Sequence, residues 1–293
     1  MKKHIVILPL ILFVVSCAVF KPKAPVEKKV LIETNQGKIV VKLYNETPKH
    51  RENFLKLVDN AFYDSLLFHR VINDFMIQAG DPESKNAEKN ARLGNGGPGY
   101  TVEAEINADK LHQRGALAAA RQPDDVNPEK RSSGSQFYIV EGNIWIDSQL
   151  DLLIKRRNSY VISEYVNRLL QKPENETLAS HVDSLRRNQH RDEFNEIYLQ
   201  LTEQVMPQIK ADSVDMFDLS EEQRYVYKTV GGSPHLDGEY TVFGEVVLGM
   251  PVVELISDVK TDIRNRPLED VLILSMKKLS EKEFKTFKKQ QGE

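Results

Sequence analysis

Between Asp147 and Lys228 the chain contains two prolines and no glycine, while on both sides of that stretch glycine and proline cut the apolar residues into short runs. This contrast limits the fold more than any other feature. Short apolar runs between turn residues build β-structure, and an unbroken stretch with apolar residues at helical spacing builds helices. Leu150, Leu153, Ile154, Val161, Ile162, Tyr165, Val166 and Leu169 recur at helical spacing, as do Leu178, Val182 and Leu185, then Phe194, Ile197, Tyr198, Leu201 and Val205. The pattern predicts two or three amphipathic helices, the first two separated at Pro173. Gly231-Gly232 marks the return to β-structure.

The flanking blocks read as strands. Val30, Ile32 and Thr34 alternate with their neighbours, Asn35-Gln36-Gly37 supplies a turn, and Ile39, Val41 and Leu43 alternate after it, which predicts a hairpin. Thr47-Pro48 predicts a helix start, with a hydroxyl at the N-cap and proline at the first helical position. Short apolar runs follow at 67–72, 75–78, 115–120 and 136–140, and again at 240–247, with a short helix over 251–258 and a last strand over 271–276. Many short strands with glycine-rich turns point to a closed β-barrel or sandwich carrying a helical insertion.

Charge excludes some functions. Lys plus Arg is 40 and Asp plus Glu is 43, a net charge of −3, so no basic excess invites nucleic acid. The chain has one cysteine, Cys17, which rules out an internal disulfide and a cysteine metal cluster. Its place is informative. Lys2 and Lys3 precede an apolar run, Ile5 to Val15, too short to span a bilayer as a helix but of signal-peptide length. The run ends Val14-Val15-Ser16-Cys17 and resembles a bacterial lipoprotein cleavage signal. That resemblance implies cleavage before Cys17, its acylation, and anchoring of the chain to a bacterial membrane, with the folded part in the periplasm or at the cell surface. Residues 18–29, with Pro22, Pro25 and several lysines, read as a tether.

The segment Phe68-His69-Arg70-Val71-Ile72-Asn73-Asp74-Phe75-Met76-Ile77-Gln78-Ala79-Gly80-Asp81 resembles the signature of the cyclophilins. Three further segments follow in the order that family requires: Gly115 to Arg121, Gly134 to Ile139, and Leu236 to Gly244. The resemblance covers roughly 30–141 and 233–279. It implies a mainly β fold, a closed eight-stranded barrel with two capping helices, interrupted by an inserted α-helical subdomain over 142–232 and followed by a charged tail over 280–293. It also implies a peptidyl-prolyl cis-trans isomerase acting on unfolded or maturing polypeptides, with no cofactor and no metal. Matched residue by residue, it assigns Arg70, Phe75, Gln78 and Tyr240 to catalysis, and Met76, Ala120, Arg121, Gln136, Tyr138, His235 and Leu236 to substrate binding.

These residue types suit that chemistry. Rotation about a peptide bond faces a barrier of about 18–20 kcal/mol because the C–N bond has double-bond character. No bond is made or broken, so neither nucleophile nor metal is needed. A guanidinium at Arg70 can face the substrate carbonyl with one donor and the emerging lone pair of the prolyl nitrogen with another. Phe75, Met76, Tyr138 and Leu236 would cup the proline ring, and Gln78 and the backbone near Arg121 would hold the substrate main chain. The sequence departs from the family pattern at Tyr138, where many members have Phe, at His235, where many have Trp, and at Tyr240, where they have His. Tight cyclosporin binding, which leans on that Trp, is therefore not implied. The glycine loop at 94–99 lacks the Gly-Lys-Ser/Thr of a phosphate loop and reads as a surface turn. His69 and His112 read as structural. A second function class stays open: a module that binds proline segments without catalysis, or a chaperone that docks clients or partners on the helical insertion.

Overall fold

The computed structural model describes residues 27–290. The leader, Cys17 and most of the tether lie outside the described residues. Strands β1 (Lys28–Thr34) and β2 (Gly37–Leu43) form the expected hairpin, with Thr34 opposite Gly37 at its tip. Val30, Ile32, Ile39 and Val41 are fully buried on its inner face. Helix α1 (Pro48–Asp59) follows and buries Phe54, Leu55, Leu57 and Val58. It begins at Pro48 as expected, but the Thr47 hydroxyl makes no cap bond. The Glu105 carboxylate takes that place, accepting the backbone N–H groups of Lys49 at 3.0 Å and His50 at 2.9 Å. A residue distant in sequence thus satisfies donors that a helix start leaves open.

Strands β3 (Arg70–Ile72), β4 (Met76–Ala79), β5 (Thr101–Val102), β6 (Ala116–Ala119), β7 (Ser132–Ser133) and β8 (Phe137–Val140) come next. Four helices then run from the sheet domain and back: α2 (Asp147–Leu170), α3 (Glu176–Arg187), α4 (Arg191–Ala211) and α5 (Glu221–Thr229). The sequence pattern predicts two or three; α5 has nine residues, too few for its periodicity to stand out. Strand β9 (Val242–Leu248), helix α6 (Met250–Ser257), strand β10 (Ile273–Leu279) and helix α7 (Glu281–Gln290) complete the chain. The charged tail is therefore helical over Glu281–Gln290, and its Phe284 and Phe287 pack on Leu31, Val40 and Leu248.

Eight strands form one sheet in the order β10-β1-β2-β9-β6-β8-β4-β3, and β5 pairs with β7 separately. The sequence leads to the expectation of a closed barrel; the sheet is open and curled instead. Its ends, β10 and β3, do not pair as strands. The chain just before each narrows the seam: Leu67 bridges Leu272, the Phe68 N–H donates to Val271 O at 2.9 Å, and the Ile273 N–H donates to Leu66 O at 2.8 Å. β3 is three residues long, and its Val71 N–H goes to Asn265 O at 2.8 Å. The outer edge of β3 is thus spent on the loop after α6 rather than on β10.

The period-2 alternation of strands sorts the side chains into two sets. Ile77, Ala79, Leu117, Ala119, Phe137 and Ile139 point inward and join α1 and α6 in the main core. Met76, Ala116, Ala118, Tyr138 and Val140 point outward and form a second cluster. That outward cluster is where the site is built. The inserted helices have their own core of Val166, Val182, Leu201, Val205 and Ile209. They meet the sheet domain through Leu150, Leu219 and Tyr227, which pack with Leu111 and Trp145. Asn143 bridges Gly232 where the insertion leaves and returns. No helix among the described residues is long and apolar enough to cross a membrane.

Candidate active site

Pairing register puts three site residues and Ala118 in one row across the outer face. Arg70 lies opposite Gln78, Gln78 opposite Tyr138, and Tyr138 opposite Ala118. A one-residue slip in any pair would turn that strand's member of the row into the core.

The row is held by hydrogen bonds. Arg70 Nη1 donates to Gln78 Oε1 at 3.1 Å, and Gln78 Nε2 donates to Gln136 Oε1 at 2.9 Å. Gln136 Nε2 in turn donates to the carbonyls of Gly94 at 3.0 Å and Gly96 at 2.7 Å. Each amide is oriented by the next, so the end of the guanidinium that meets Gln78 is fixed. Among the described residues Arg70 has no carboxylate partner. It is partly buried, and burial lowers its pKa from the ordinary arginine value. A desolvated guanidinium without a counter-ion is costly to hold and keeps donors for a ligand.

Around Arg70 lies a cavity of about 530 Å³. Of the residues assigned from sequence, Arg70, Phe75, Met76, Gln78, Ala120, Arg121, Tyr138, Leu236 and Tyr240 line it. Phe75, Met76, Tyr138, Leu236 and Tyr240 belong to one apolar cluster. Gln136 and His235 do not line this cavity. Gln136 faces an adjoining groove behind the 94–99 loop. His235 stands outside, its ring 5.3 Å from that of Phe75. The Arg121 guanidinium is committed to internal partners: Nε donates to Glu239 O at 2.7 Å, Nη1 to Asp124 Oδ1 at 2.5 Å, and Cζ sits 4.7 Å from the centre of the Tyr240 ring. Ala120 spends its N–H on Gln136 O at 3.0 Å and its carbonyl on the Ser133 N–H at 2.7 Å.

The sequence reading passed over several cavity residues. Gly94 and Asn95 line the wall, and Gly94 anchors both Gln136 and the Asp81 carboxylate. The glycine loop is thus part of the site and not merely a surface turn. Asp262, Arg264 and Arg266 line the far side from the loop after α6. Nothing in their spacing marks them, because a long-range approach brings them there. His69, which reads as structural in the sequence, also lines the cavity; it is 4% exposed and neither ring nitrogen has a hydrogen-bond partner among the described residues. Burial pushes its pKa down to about 4. His112 is fully buried, with Nδ1 2.9 Å from Asp237 Oδ1 and Nε2 3.0 Å from the Tyr138 hydroxyl. Burial raises the Tyr138 pKa well above the ordinary tyrosine value, so its hydroxyl stays protonated. Among the described residues no three His, Cys, Asp or Glu side chains are grouped to hold a metal.

The family model "Cyclophilin type peptidyl-prolyl cis-trans isomerase/CLD" matches residues 29–155 and 195–278. A Staphylococcus aureus (strain COL) protein named "Putative peptidyl-prolyl cis-trans isomerase" is 30% identical over 251 residues, covering 85% of this chain and 91% of that protein. A Staphylococcus epidermidis protein of the same name is 28% identical over 254 residues, with the same coverage. In fold the chain is similar to a crystal structure of a Cryptosporidium parvum cyclophilin type peptidyl-prolyl cis-trans isomerase, with a TM-score of 0.51 and 19% identity over 87% of this chain and 99% of that one. The segments that line the cavity fall within the matched residues, and the chain belongs to the cyclophilin-type peptidyl-prolyl cis-trans isomerase family.

Proposed function

We propose that this chain is a peptidyl-prolyl cis-trans isomerase that rotates Xaa-Pro bonds in exported polypeptides while tethered to a membrane through Cys17. The observation that carries the enzyme reading is Arg70: a partly buried guanidinium without a carboxylate partner among the described residues, fixed at one end by Gln78 and set beside an apolar cup. The ring of a substrate proline fits against Phe75, Met76, Tyr138 and Leu236. With the ring held, the preceding residue's carbonyl turns.

In the ground state the prolyl nitrogen is planar and its lone pair is delocalised. At the twisted state the lone pair localises and can accept a hydrogen bond from Arg70. That bond exists only at the top of the barrier, which is the condition for acceleration. The reaction has no acid, base or nucleophile, so Arg70 works by charge and position alone.

The test is isomerisation of a short Xaa-Pro peptide by the full chain, compared with Arg70→Ala. Acceleration by the wild type and its loss in the variant support the reading. An intact wild type that binds the peptide without accelerating rotation makes the chain a binding module instead. The tether reading rests on the sequence of residues 2–17. It is tested by labelling cells with a fatty acid: the wild type should take up label and partition with membranes, and Cys17→Ser should do neither.

A further inference from the structure

The segment Ser233–Tyr240 brings Leu236 and Tyr240 to the cavity, and side chains of the inserted helices hold it. From α2, Arg157 Nη1 donates to the Asp237 carbonyl at 2.7 Å and Nη2 to Glu239 Oε1 at 2.8 Å. Its guanidinium lies 3.8 Å from the centre of the Phe217 ring. From α5, the fully buried Tyr227 donates its hydroxyl to Asp237 Oδ2 at 2.5 Å.

Both contacts lead on to the cavity wall. The other Asp237 oxygen accepts the His112 backbone N–H at 2.8 Å and faces His112 Nδ1, whose ring reaches the Tyr138 hydroxyl. The Glu239 oxygen not used by Arg157 accepts from Arg121 Nη2 at 3.2 Å and Lys130 Nζ at 2.5 Å, and Arg121 lies against the Tyr240 ring. One line of hydrogen bonds thus runs from α5 to Tyr138, and another from α2 to Arg121, whose guanidinium lies over the Tyr240 ring.

We propose that Arg157 and Tyr227 are positioning residues, through which the helical insertion sets the placement of Tyr138, Leu236 and Tyr240. The proposal rests on the reading of the cavity as the isomerase site. Mere attachment of the insertion needs neither residue's polar atoms, since Leu150, Leu219 and Leu111 supply apolar contact. A buried hydroxyl–carboxylate pair stabilises the fold and also fixes geometry closely, which is why unfolding is followed beside turnover. Neither residue belongs to the core of the insertion itself.

The experiment measures kcat and KM of the full chain on a chromogenic Xaa-Pro tetrapeptide, with thermal unfolding in parallel. Tyr227→Phe removes one hydroxyl, and Arg157→Met keeps the stem while removing the donors. Each is expected to lower kcat/KM by about tenfold at a temperature where the chain stays folded. Arg157→Lys should recover part of the loss. Val182→Ala, in the core of the insertion, should lower the melting temperature and leave kcat/KM unchanged. In a Tyr138→Phe background the effect of Tyr227→Phe should shrink, because the line it acts through is already cut. Folded Tyr227→Phe and Arg157→Met with wild-type kcat and KM would overturn the proposal. Should Tyr227→Phe not fold, the two Arg157 variants decide alone. A wild type that binds peptide without turnover sinks the isomerase reading, and peptide Kd then replaces kcat/KM as the deciding measurement.

Discussion

The Arg70 guanidinium donates to Gln78 Oε1 at 3.1 Å across directly opposed positions of β3 and β4. The amide orients the cation without neutralising it. Arg70→Ala should lower kcat/KM by about 100-fold or more, the usual loss for one transition-state donor. Gln78→Leu should cost less, about tenfold, since it frees the guanidinium without removing it. Arg70→Lys should rescue poorly, because an ammonium lacks the planar fork. Peptide turnover assays check all three.

Tyr138→Phe should cost stability and lower kcat/KM by about tenfold, as Tyr227→Phe does, since both cut the same line of hydrogen bonds. The ring faces the cavity, whereas the hydroxyl points to His112 Nε2 at 3.0 Å. Its removal leaves a fully buried ring nitrogen unpaired, at about 1–2 kcal/mol in urea unfolding.

Stability should fall between pH 6.5 and 4 in part because of His69. Its folded pKa is held down to about 4 by burial, below the ordinary 6.5. The unfolded chain therefore takes up a proton in this window that the folded chain refuses. Stability is full above the upper limit and is lost as pH drops toward the lower one, by on the order of 3 kcal/mol. Urea unfolding at several pH values should show this slope, and His69→Gln should flatten it. Burial also lowers the pKa of His50, so the slope should shrink rather than vanish.

Gly232→Ala should weaken the junction of the insertion. A Cβ there would lie 2.3 Å from His112 O and 2.6 Å from Gln113 Cα, at a backbone φ of +144°. Neither backbone neighbour can yield without breaking the Asn143 and Gln113 bridges. A loss of about 3 kcal/mol is expected in chemical unfolding. Emission from Trp145, the one tryptophan, should report it, because its indole N–H donates to Gly232 O at 2.9 Å.

The strands were legible in sequence because they depend on local pattern, and the residues that line the cavity came from the cyclophilin resemblance. Alternation gives each strand its two faces, and the contiguous segment Phe68–Asp81 supplies Arg70, Phe75, Met76 and Gln78 together. What escaped depends on distant approach. Glu105 caps α1 in place of Thr47, and Asp262 and Arg264 reach the cavity from a loop after α6. Arg157 and Tyr227 read as one charge and one ring on amphipathic helices until the return of the chain sets Asp237 between them. The open seam was equally hidden, since no single-strand pattern says which edge will be used by a loop.

Strand β9 lies between β2 and β6, yet the whole helical insertion separates it from both in the chain. A ribosome delivers β2 and β6 long before β9 exists. During that interval both present unpaired N–H and C=O edges, a state that invites association with other chains. The insertion has its own apolar core and can condense first, beside the unfinished sheet. Arrival of β9 then joins the two half-sheets in a late, long-range step, which makes folding of this chain slow for its size. A member of the cyclophilin-type peptidyl-prolyl cis-trans isomerase family thus carries, in the order of its own strands, a reason to need help in folding.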